Sequence, residues 1–123
     1  MKTYQVSYDF HHESEAVYHR FAALLRVMKA EHAQFSVWFV NFDGTAIELG
    51  ATLSPQLTRA DELIVSEINT SNTVATTGTQ SWRALSAIVA STENAMRLAR
   101  AIRAVTQLRK KSSPPPFKLT KRQ

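Results

Sequence analysis

The chain has no cysteine. That absence removes disulfides, thiolate nucleophiles and thiolate metal ligands together, and it excludes a small secreted scaffold held by bridges. Glycine is scarce, with three in 123 residues, and Gly44 and Gly78 stand isolated, so no phosphate-cradling loop is written here. Proline is also sparse, and three of its four occurrences are consecutive at 114–116. No apolar run approaches the ~20 residues that cross a bilayer. The most apolar stretch is Phe35 to Val40, and Met1-Lys2 leads into a polar-alternating segment without the core of a signal peptide. These absences predict a soluble protein of the cytoplasm with no membrane role. At this length a single modest core is sufficient without staples.

The last scarcity is local. After Glu93 there is no acidic residue, while Arg97, Arg100, Arg103, Arg109, Lys110, Lys111, Lys118, Lys121 and Arg122 follow. Residues 1–93 hold six basic and ten acidic side chains, net −4, against +9 for the remainder, so a formal charge of +5 conceals an electrically two-part molecule.

What is present patterns into elements. Tyr4, Val6 and Tyr8 alternate with Gln5 and Ser7, the period of a half-buried strand over Thr3 to Tyr8. Val17, Phe21, Leu24, Leu25 and Met28 share one helical face, and Ser14 can cap a helix predicted from about Glu15 to His32. Gln34 to Phe42 is dense in aromatic and β-branched residues and reads as one strand covered on both faces. Two readings compete for Asp43 to Leu53. Asp43-Gly44 signals a hairpin, whereas Thr45 and Glu48 have the spacing of a capping box, and the helix is preferred. Pro55 ends it. Glu62 to Ile68 predicts a strand with Leu63 and Val65 opposite Ile64 and Ile68. Asn69 to Ser81 offers either a weak edge strand near Thr73 to Thr77 or a loop ending at Gly78. Trp82 to about Lys111, free of Gly and Pro, predicts one long helix or two broken near Ser91-Thr92. Leu98, Ile102, Val105 and Leu108 gather on one side of it, opposite Arg97, Arg100 and Arg103.

The order β-α-β-α-β fits an α+β, ferredoxin-like sheet with helices on one face, followed by a long basic helix and a flexible tail. The predicted divisions are residues 1–80, 81–111 and 112–123.

Candidate chemistry concentrates where the first strand ends. Asp9 is followed by His11, His12 and Glu13. Carboxylates and imidazoles at such a junction can hold a divalent cation, and the bland alternative is a turn cap leading into a solvated loop. Asp9 is the member a strand would hold rigidly. His19 and His32 read as surface or helix-end residues, Ser36 has no base near it in sequence, and Trp38 reads as core rather than as a base-stacking platform.

Tyr8-Asp9 after a first strand, then a helix, then Gln34-Phe35-Ser36-Val37-Trp38, resembles the CRISPR-associated protein 2 family and its stand-alone relatives, which include the virulence-associated D toxins. Trp38 to Val40, Thr45 to Leu49 and Asp61-Glu62-Leu63-Ile64-Val65 extend the similarity over roughly residues 3–68. The resemblance implies a ferredoxin-like homodimer in which Asp9 of both subunits lies near the two-fold axis. It also implies metal-dependent phosphodiester cleavage, with Mg²⁺ as the cation and Asp9 as ligand and catalytic residue. Some members serve only as scaffolds that hold DNA. Outside that region the nine basic residues predict salt-sensitive, sequence-blind contact with DNA or RNA. The alternative is a non-catalytic adaptor, scaffold or antitoxin-like protein that uses the same stripe and tail to dock a protein partner.

Overall fold

The fold, a computed structural model describing residues 1–10, 15–76 and 79–112, runs β1 (Lys2–Asp9), α1 (Glu15–Val27), β2 (Glu31–Gln34), β3 (Val37–Phe42), α2 (Ala46–Leu53), β4 (Glu62–Ile68) and α3 (Thr79–Ser112). The sheet order is β2-β3-β1-β4 and every neighbouring pair is antiparallel. This is the split β-α-β ferredoxin-like arrangement, and the protein is α+β.

Strand alternation sets the layers. Tyr4, Val6 and Tyr8 of β1 and Trp38 and Val40 of β3 face Phe21, Ala22 and Leu25 of α1 and Leu49 and Leu53 of α2, forming the main core. Leu63 and Val65 of β4 join it, as their spacing predicts. The opposite face holds a smaller core, in which Ala33 and Phe39 meet Ala84 and Ile88 of α3. The helices therefore cover both faces: α1 and α2 lie on one, and the start of α3 on the other. Thr3, which would otherwise be a buried polar group, donates to Asn41 Oδ1 at 2.6 Å, and Asn41 Nδ2 donates to the Ile88 carbonyl at 3.2 Å.

Three elements differ from the sequence expectation or decide it. α1 stops at Val27 rather than near His32 because Lys29 takes the left-handed conformation, φ 60°. Its N–H bonds the Arg26 carbonyl and that of Ala30 bonds Leu25, the paired bonds of a Schellman stop made without glycine. The segment expected to be one strand from Gln34 is a hairpin, β2 and β3, turning at Phe35-Ser36 with an irregularity between His32 and Gln34. In α2 the capping box prevails over the hairpin signal. Thr45 Oγ1 accepts from the Glu48 N–H at 3.1 Å, and the Glu48 carboxylate accepts from the Thr45 N–H at 3.3 Å. Gly44 is needed there, since a Cβ would come within 2.6 Å of the Phe42 ring, and its carbonyl accepts from the Tyr4 hydroxyl.

Residues 73–76 form no regular element; Thr77 and Gly78, with the rest of the expected tail from residue 113, lie outside the described residues. Two compact units divide the chain, Met1–Thr92 and a second beginning at Glu93. No helix among the described residues is long and apolar enough to cross a membrane.

Candidate functional site

β1 delivers Asp9 to its carboxyl end, where the side chain is exposed. The β1–β4 ladder sets Glu62 directly opposite. Residues paired in register share a face with Cβ atoms about 5 Å apart, so two carboxylates stand together on the sheet face away from α1 and α2. Carboxylate oxygens suit Mg²⁺, which keeps several waters and needs one or two such ligands. Among the described residues no group of three or more His, Asp or Glu is placed to hold an ion. His11, His12 and Glu13 lie outside the described residues. His19 is exposed on α1, while His32 is a strand residue, stacked on Trp38 at 4.4 Å with the rings 13° from parallel. Sequence reasoning missed Glu62 as a neighbour of Asp9, because nothing local to either residue encodes the register that joins them.

Behind Asp9 lies an aromatic block. Tyr8 is buried against Phe10, Tyr18 and Phe21, with Phe10 stacked at 4.6 Å and Phe21 edge-on at 5.0 Å. Trp38 Nε1 donates to the Tyr8 hydroxyl at 3.1 Å, and that hydroxyl donates to the Phe35 carbonyl at 3.4 Å. Trp38, 2 % exposed, is core and offers no face to a base. Burial pushes the Tyr8 phenol up to about 12, against the Trp38 N–H, which favours the phenolate. Because the folded pKa is raised, the stability tied to it is complete below the unfolded value near 10 and is lost as pH rises toward 12. Denaturant titrations should therefore show about 2–3 kcal/mol lost across that window. Tyr8→Phe should lack this part of the loss; an identical alkaline decline in the variant would refute it.

The second candidate surface is the later part of α3. At 100° per residue Arg97, Arg100 and Arg103 occupy an arc of about 120°, and Leu98, Ile102, Val105 and Leu108 occupy another centred about 140° away. All of these side chains are exposed, the four apolar ones by 53–65 %. Lys110 joins the basic side. Arg109 does not: it lines a shallow groove with Ile102, Val105 and Thr106, within the apolar arc. Lys111 continues the helix, and Lys118, Lys121 and Arg122 lie outside the described residues.

The fold and these surfaces define a class, a ferredoxin-like α+β domain carrying a basic amphipathic helix. No protein-family model matches the chain, and no curated protein matches it. Its fold is similar to the crystal structure of a hypothetical protein from Thermus thermophilus, 22 % identical, with a TM-score of 0.50 over 63 % of this chain and 92 % of that one. The likeness concerns the fold.

Proposed function

We propose that this chain is a nucleic-acid-binding, homodimeric protein of the CRISPR-associated protein 2-like type, working in the cytoplasm. The observation that carries the reading is the exposed arc of Arg97, Arg100 and Arg103, followed by Lys110, on a helix with no acidic residue beyond Glu93. Arginines spaced three apart on a straight helix lie about 4.5 Å apart along its axis. Successive phosphates along a strand or across a groove can be neutralised by such a row, with counterion release supplying affinity that is blind to sequence. The folded unit would serve as the platform that holds the helix. A non-catalytic adaptor or scaffold needs nothing more.

A second reading, Mg²⁺-dependent endonuclease activity through Asp9, is favoured by one observation, the register pairing of Asp9 with Glu62 at an exposed strand end. Asp9, with Glu62 beside it, would hold the cation, which when bound would neutralise the scissile phosphate and favour attack by water. Tyr8 and its aromatic neighbours fix the backbone from which Asp9 projects.

The test is binding and cleavage of labelled DNA and RNA at low and high salt, with Mg²⁺ or EDTA. Asp9→Ala should abolish any cleavage and leave binding unchanged. Cleavage that persists in Asp9→Ala, or in EDTA, would remove the catalytic reading. Binding that does not weaken with salt would remove the phosphate-contact reading as well.

A further inference from the structure

We infer that the apolar side of α3 from Ala95 to Arg109 is a self-association surface that pairs antiparallel with the same segment of a second copy. This names the interface within the homodimer part of the reading above, and it is independent of whether nucleic acid is bound. The segment carries a heptad seam, with Ala95, Ile102 and Arg109 at one core position and Leu98 and Val105 at the other. Leu98, Ile102 and Val105 are 62, 56 and 53 % exposed, an uncovered stripe unlike the buried Ile88 earlier in the same helix.

The occupant is indicated by charge. In a coiled coil, residues flanking the seam select the partner, and a charged flank asks for its opposite. Here the flanks are Asn94, Ala99, Ala101, Thr106 and Leu108, uncharged and mostly small. They give an acidic partner no charge to recognise along the flanks, and they let two identical helices approach closely. The arginines at 97, 100 and 103 stay on the outside of such a pair.

Arg109 sets the direction. A parallel pair would stack Arg109 on its own copy inside the seam. An antiparallel pair in the register Leu98 against Ile102 matches small Ala95 with Val105 and brings Arg109 to the level of Ser91. The two basic helix ends are then held apart, and the basic arcs point outward on both sides.

The experiment uses nucleic-acid-free full-length protein. Sedimentation equilibrium should show monomer passing to dimer across about a hundredfold range of concentration. Ile102→Lys, at a position exposed in the free chain, should weaken association at least tenfold with an unchanged circular dichroism spectrum. Because the chain has no cysteine, Ala95→Cys and Val105→Cys report geometry: neither variant alone should form a disulfide dimer on oxidation, and an equimolar mixture should. A monomer at every concentration overturns the inference. A dimer indifferent to Ile102→Lys overturns the surface while leaving a homodimer standing, and self-crosslinking of either single variant overturns the antiparallel direction.

Discussion

Replacing Arg97, Arg100 and Arg103 together by glutamine is expected to weaken binding to duplex DNA about 100-fold at 0.15 M salt and to reduce the slope of log affinity against log salt by about 3. The two figures have one origin. Each phosphate neutralised releases close to one condensed counterion, so three lost contacts flatten the salt dependence by roughly three units. The same flattening, carried from molar salt to 0.15 M, gives about two decades of affinity. Glutamine keeps the helix propensity of arginine nearly unchanged, and the three side chains are exposed. The change therefore acts on charge and leaves fold and helix length alone. Fluorescence anisotropy at four or five salt concentrations reads both quantities. Arg109→Gln should cost less than any one of the three, because Arg109 lies on the apolar side with Ile102 and Val105. An unchanged slope in the triple variant would sink the assignment to this arc. If binding then disappeared on removing residues 113–123, the phosphate contacts would belong to Lys118, Lys121 and Arg122.

How much of this was legible before the structure depended on whether the determining contact was local. The helix at Ala46–Leu53 could be read because its decisive bonds, between Thr45 and Glu48, span three residues and have a sequence signature. β4 could be read because Glu62–Ile68 alternates. The end of α1 could not, since Lys29 occupies a left-handed position that ordinarily announces itself with glycine. β2 was missed for a different reason. Glu31-His-Ala-Gln has little intrinsic strand preference, and it becomes a strand by pairing with β3 and seating His32 on Trp38, contacts made only after the hairpin closes.

The candidate sites divide in the same way. Asp9 was visible at the end of an alternating strand, but its neighbour Glu62 is 53 residues away in sequence and is supplied by ladder register alone. The charge count on α3 was visible too. A count treats Arg109 as equivalent to Arg103, whereas the helical angle separates them, and that separation gives the apolar stripe a direction as well as a width.

The largest effect on folding is expected at Trp38, whose replacement by alanine should cost about 3–5 kcal/mol, lowering the melting temperature of the first unit by about 15–30 °C. The side chain is 2 % exposed and lies in β3 between Val6 of β1 and His32 of β2. Its loss leaves a large cavity in the main core. It also deprives the Tyr8 hydroxyl of a donor at 3.1 Å, the His32 ring of its stacking partner and the Arg26 guanidinium of a ring face at 5.6 Å. A domain of this size is stable by about 5–15 kcal/mol, so the variant stands close to unfolding at physiological temperature. Trp38→Phe, which keeps most of the volume and forfeits the indole N–H, should lose less than half as much. The second tryptophan supplies the control. Trp82 lies near the start of α3 with 60 % of its surface exposed, so Trp82→Ala should change stability by about 0.5 kcal/mol or less. In a Trp82→Phe background the remaining fluorescence comes from Trp38 alone and should shift to the red on unfolding, reporting the main core directly. Equal destabilisation by Trp38→Ala and Trp82→Ala would contradict the placement of Trp38 at the centre of that core. Equal stability with the parent would contradict it more completely, since no cavity of that size closes without cost.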